Sequence, residues 1–163
     1  MEPEQAFLIV LSIVMLVLIV FSALISGSEV AYFSLDAKRR DALSSEKTTS
    51  GNRVINLLGI PKKLLATILI ANNFINVSIV MVSYYFTKGV FVNTELPDTA
   101  LFLINVIGAT FVILLFGEVI PKVYATKHSV SFSKFMSSPV SFLSMIFAPF
   151  SNLLVSSTSI IDK

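Results

Sequence analysis

The 163-residue chain has no cysteine. Disulfides, thiolate zinc sites and cysteine nucleophiles are thereby excluded, and the redox compartment leaves no trace. It has a single histidine, His128. A lone imidazole builds no transition-metal site, and its position among basic residues past the last long apolar run predicts a cytoplasmic surface location. Charge is scarce as well, at 13% of residues, where a water-soluble domain averages about a quarter. With a net charge of only +2, the chain is not expected to bind nucleic acid. The sequence has no His-Glu-x-x-His motif and no serine with an evident base, so an enzyme is not expected either.

What the sequence has in quantity is apolar surface: 55% of residues, with a mean hydropathy of +0.85. That composition marks a membrane protein. Three uncharged runs meet the requirement of roughly 20 apolar residues per bilayer crossing: residues 6–26, 64–86 and 99–117. No basic residue precedes the first, and Glu2 and Glu4 do, so it reads as a permanent helix and not as a cleaved signal peptide. Lys38, Arg39, Arg40, Lys47, Arg53, Lys62 and Lys63 separate the first two runs, and Lys122, Lys127 and Lys134 follow the third. The segment between the second and third carries Lys88 against Glu95 and Asp98. The positive-inside rule then places the N-terminus outside and the C-terminus in the cytoplasm.

The expected architecture is an all-α membrane protein. Residues 1–134 form a three-helix transmembrane domain, with a short cytoplasmic helical hairpin at about 29–60, in which "TTSGN" is the turn and Pro61 opens the second crossing. Residues 135–163 contain Pro139, Pro149 and many serines, poor material for a hydrocarbon core. Val140, Leu143, Phe147, Phe150 and Leu154 recur at helical spacing, with Ser137, Ser141, Ser144, Ala148 and Ser151 on a second stripe. An amphipathic juxtamembrane helix lying in the interface fits better than a fourth crossing.

Polar groups at membrane depth single themselves out. "GEVIPK" places Glu118 at the end of an oily run, where an ionisable side chain is a functional hypothesis unless it pairs with Lys122 one turn on. Pro121 has no N–H for the carbonyl of Gly117, so the third helix is expected to break or kink there and bare that oxygen. "LISGSEVAYFSL" supplies Ser26 and Ser28 around Gly27, expected to unwind, although both serines could instead cap a helix starting near Glu29. "TILIANNFINVS" supplies Asn72 and Asn73, with Asn76 a turn further, which could equally specify helix packing. Ser83, Asn105 and Gly108 read as packing residues. Carboxylate, amide, hydroxyl and carbonyl oxygens select hard cations: Mg2+, Ca2+, Mn2+ or Na+.

"SGSEVAYFSL", "LLATILIANNFINV" and "FGEVIPKVYA", in this order and over nearly the whole chain, resemble the membrane domain of the CNNM/CorC family of magnesium transporters. The resemblance implies Mg2+ export, with Na+ as coupling ion, from a metal site formed by Ser26, Ser28, Asn72, Asn73, Gly117 and Glu118. It also implies a homodimer in the plasma or inner membrane, crossing it several times. Family members continue into cytoplasmic CBS domains, whereas this chain stops at Lys163; nucleotide is expected to act only through those domains. The alternatives are a Mg2+-sensing regulator and a dimeric structural membrane module that transports nothing.

Overall fold

The computed structural model describes residues 3–161, and every regular element among them is a helix. Three are long and apolar enough to cross a membrane. The first, α1 (Pro3–Phe33), runs 31 residues without interruption, about 46 Å at 1.5 Å per residue. After the short helices α2 (Ala37–Ser45) and α3 (Thr49–Leu58), α4 (Pro61–Val90) returns antiparallel and packs along α1. The third span, residues 98–127, is composite: α5 (Asp98–Val112), a π-helical segment (Ile113–Val119) and α6 (Ile120–Lys127). Two further helices, α7 (Ser129–Ile146) and α8 (Ala148–Ile161), complete the chain.

Local chemistry explains most of these boundaries. Asp36 caps α2 by accepting from the Arg39 N–H at 2.8 Å, and Thr48 caps α3 by accepting from the Gly51 N–H at 3.2 Å, each satisfying a donor that the first turn leaves free. Lys47, between them, takes φ 52° to reverse the chain. Thr49–Asn52, expected as turn, instead form the first turn of α3. Pro61 stands at the head of α4, where its missing N–H costs nothing.

Four expectations are corrected. Gly27 does not unwind α1, and Ser26 and Ser28 cap nothing, because α1 continues to Phe33. Gly27 serves close approach: a Cβ there would stand 2.8 Å from Phe132 Cζ and 3.4 Å from the Pro121 carbonyl. The third span does not break at Pro121 but widens before it, with the Ile120 N–H bonded to the Leu115 carbonyl. The C-terminal part is two helices with a break at Phe147, the first starting at Ser129; Pro149 cannot continue the ladder of α7.

The core sits at one end. Ile25, Tyr32, Leu35, Leu43, Val54, Leu64, Ile68, Ala71, Met136 and Val140 form one buried cluster, joining the α2–α3 hairpin to α7 and the adjoining ends of α1 and α4. Polar ties reinforce it: Lys134 Nζ to Glu46 Oε2 at 2.6 Å, Arg39 Nη1 to Ser129 Oγ at 3.1 Å, and the Tyr32 hydroxyl to the Ser133 carbonyl at 3.2 Å. Elsewhere the usual order of a water-soluble protein is reversed. Ser129, Ser133 and Ser137 on α7 are buried while Phe135, Phe142 and Met145 face outward, and Ile13, Leu16, Phe74, Ile107 and Phe111 are exposed on the spans. Small residues let helix backbones approach, and hydrocarbon solvates the large ones.

Candidate cation site between the long helices

The antiparallel pairing of α1 and α4 sets Ser22 against Asn76, with the Ser22 hydroxyl donating to Asn76 Oδ1 at 2.7 Å. The Asn76 amide in turn donates to Glu118 Oε1 at 3.2 Å, so one hydrogen-bonded chain links all three spans. Gly117, beside that carboxylate, is buried, and a Cβ on it would stand 2.8 Å from Ser22 Oγ. Glycine allows this close approach without displacing the Ser22 hydroxyl. The π-helical winding of residues 113–119 turns two consecutive positions, Gly117 and Glu118, into the groove between α1 and α4; such segments recur at functional sites.

One helical turn toward the hairpin end on both facing helices lie Ser26 and Asn72. Ser26 Oγ and Asn72 Oδ1 are buried and have no hydrogen-bond partner. Buried polar atoms are nearly always satisfied in folded proteins, and each exception calls for an explanation. Here the two unsatisfied atoms are both oxygens, both able to accept, and both next to the Ser22–Asn76–Glu118 chain. A hard cation is bound by oxygens of this kind.

Of the six residues singled out from the sequence, Ser26, Asn72, Gly117 and Glu118 share this groove. Ser28 is buried but donates to the Leu24 carbonyl of its own helix at 2.7 Å, and Asn73 is exposed on the outer face of α4. Ser22 was missed and Asn76 noted only as a neighbour, although the four-residue spacings Ser22–Ser26 and Asn72–Asn76 mark a common face on each helix. Lys122, the alternative partner of Glu118, pairs with Glu29 at 3.2 Å. The Glu118 carboxylate is thus left with an amide donor and no basic partner in the ion pairs of the described residues. Nor do three His, Cys, Asp or Glu side chains cluster anywhere among those residues, so a cation in the groove would rely on neutral oxygens and one carboxylate.

Long apolar helices enclosing a polar, carboxylate-bearing groove define an α-helical membrane protein with a polar site at depth. Residues 13–163 match the family described as CNNM, the cyclin M transmembrane N-terminal domain, and the chain belongs to it. It is 33% identical over 145 residues to the "UPF0053 protein" of Haemophilus influenzae, covering 85% of this chain and 32% of that protein. It is 32% identical over 133 residues to the "UPF0053 inner membrane protein YfjD" of Escherichia coli, covering 76% of this chain and 28% of that protein. The aligned part spans about a third of these relatives' length.

Proposed function

We propose that the chain is the membrane domain of a divalent-cation transporter that exports Mg2+, coupled to Na+ entry, with Glu118 as the charged ligand. The observation that carries this reading is the pair of buried, unpartnered oxygens Ser26 Oγ and Asn72 Oδ1 beside the Ser22–Asn76–Glu118 chain. An ion entering the groove gains two acceptors that nothing else satisfies, plus a carboxylate whose only described bond is to an amide. Stripping water from Mg2+ is costly, and these oxygens replace part of the shell. One carboxylate leaves a divalent ion under-neutralised, which favours release over retention.

Alternating access follows from where the helices can yield. Among the described residues, the π segment is where a long span departs from α geometry, and it carries both Gly117 and Glu118. Re-winding it would withdraw the carboxylate from the groove and open the opposite side. Glu29 and Lys122, one turn nearer the hairpin end, form an ion pair that an ion approaching from that end must pass. The distribution of lysine and arginine supports the cytoplasm as that end, and the inner-membrane relative supports an inner or plasma membrane location. The protein works as a homodimer in this reading, with nucleotide acting only on domains outside this segment.

The test is flux from proteoliposomes, read with a Mg2+-sensitive dye with and without a Na+ gradient, beside Glu118→Ala. Na+-dependent flux that falls at least about a hundredfold in the variant, the scale of roughly 3 kcal/mol, is the expected result. Full flux in a folded Glu118→Ala protein would overturn the assignment. No flux from wild type, with Mg2+ raising its melting temperature but not that of the variant, would make this segment a sensor.

A further inference from the structure

Asn73 stands exposed on the outer face of α4, and its depth makes that exposure costly. It lies ten residues past Lys63 and fifteen before Lys88, about 15 Å and 22 Å along the helix. Asn73 is therefore near the middle of a hydrocarbon core about 30 Å thick. Hydroxyls on the spans can answer their own helix, as Ser12 does to the Leu8 carbonyl and Ser78 to that of Phe74. Among the described residues, no hydrogen bond is made by the Asn73 carboxamide. Its two N–H donors and its carbonyl need a partner that lipid tails cannot supply.

The rest of that face has the spacing of a helix seam. Ile70, Asn73, Val77, Val80 and Tyr84 follow one another at steps of three and four residues, the 3.5-residue repeat with which one helix pairs along another. Asn73, Val77 and Val80 are exposed, and Ile70 and Tyr84 are half-buried at the two ends. The groove lies on a different face of α4, where Asn76 bonds to Ser22 and Glu118. The seam is thus an unpartnered surface with one amide at its centre.

We propose that this stripe of α4 joins two copies of the chain, with the Asn73 carboxamide of each copy bonded to that of the other. The proposal rests on the homodimer of the reading above and supplies the face on which the copies meet. Two copies inserted with the same orientation are related by an axis along the membrane normal, so their α4 helices run parallel and each seam residue meets its own counterpart at one depth. A carboxamide is its own complement, since the N–H of one donates to the carbonyl of the other and the reverse bond closes the pair. An unlike partner would have to bring a matching amide to the same depth. Val77 and Val80, stiff at χ1, lose little side-chain freedom on packing. Consecutive residues then divide the turn: the unpartnered Asn72 Oδ1 belongs to the groove, and Asn73 to the second copy.

The chain has no cysteine, so disulfides between single introduced thiols map the contact without background. Val77→Cys and Val80→Cys, in vesicles of phosphatidylethanolamine and phosphatidylglycerol, are oxidised with copper phenanthroline beside two controls, Leu16→Cys on α1 and Phe111→Cys on α5. Leu16 and Phe111 are each 64% exposed, against 59% for Val77 and 37% for Val80, so exposure alone favours the controls. The seam thiols are expected to cross-link at least about tenfold faster, because a disulfide needs its two backbones close together. Energy transfer between labelled copies then measures association, which Asn73→Val should weaken about tenfold. Asn73 faces outward, so the variant should keep the wild-type fold. Equal cross-linking at seam and control positions, or undiminished association of Asn73→Val, overturns the proposal. A dimer that cross-links only through Leu16 or Phe111 would remove this face and leave the transport reading standing; a seam dimer that carries no Mg2+ flux would do the reverse.

Discussion

The two ends of the α1–α4 pair are built on opposite rules. At the hairpin end, Leu43, Val54, Leu64, Met136 and Val140 close a dry apolar core. Next to Ile25 and Ala71 at the rim of that core, α1 and α4 turn Ser22, Ser26, Asn72 and Asn76 into a groove with Glu118, with two oxygens left unpaired. On the proposed reading, stability and ion chemistry are carried by different groups of residues, and a substitution can be placed to touch one without the other.

The largest expected effect tests the apolar end. Leu43 is 1% exposed, and Leu43→Ala should cost about 3 kcal/mol of stability, read by thermal unfolding in detergent, while the shift in melting temperature produced by Mg2+ persists. Loss of the Mg2+ response in a still-folded variant would show that the two ends are coupled. Gly117→Ala tests the polar end. The added Cβ would lie 2.8 Å from Ser22 Oγ and force it off Asn76, a loss of about 1 kcal/mol that the better helix propensity of alanine, also about 1 kcal/mol, offsets. Stability should scarcely change, but Mg2+ binding measured by calorimetry should weaken about tenfold, a difference of about 1.4 kcal/mol.

Ser26→Ala sharpens the contrast further. It removes a buried oxygen with no partner, so without Mg2+ the variant should be as stable as wild type or more so, by up to about 1 kcal/mol. With Mg2+ the order should reverse. A destabilised variant in the absence of ion would mean that Ser26 Oγ has a structural bond after all. The smallest effect is electrostatic. Lys134, by hydrogen bond and by charge, holds the Glu46 carboxyl below its usual range. A depressed carboxylate contributes stability above its unfolded pKa and loses it as pH falls through the folded one. The melting temperature of wild type should therefore decline slightly more than that of Glu46→Gln on acidification below the carboxylate range, and salt should shrink the difference.

The three spans and the hairpin were legible because length and charge distribution are local properties of the chain. The winding of residues 113–119 was not: Pro121 on its own argues for a break, and only packing of Gly117 against Ser22 shows that the helix widens instead. The start of the C-terminal helix is hidden in the sequence because Lys134 interrupts the uncharged run, whereas its ammonium reaches back to Glu46 and the buried serines begin at Ser129. Within the site, Ser26, Asn72, Gly117 and Glu118 stood out as polar or flexible residues in oil. Ser22 and the role of Asn76 emerge only when the register of α1 against α4 is known, since their bond spans 54 residues. Sequence spacing also offers Lys122 as an alternative partner for Glu118, but the helix presents it to Glu29.

That choice of partner has an electrical consequence. Lys122 and Glu29 cancel one another, so on the proposed transport reading an ionised Glu118 alone would set the formal charge of the groove: minus one when empty, zero with a monovalent cation, plus one with Mg2+. Moving one elementary charge through a full membrane potential of 100 mV is worth about 2.3 kcal/mol. An empty carrier and a Mg2+-loaded one would feel a voltage in opposite senses, whereas a carrier returning with Na+ would feel none. Had Lys122 turned to Glu118, every one of those states would be shifted by a unit, and the monovalent-loaded return would have to work against, or with, the field.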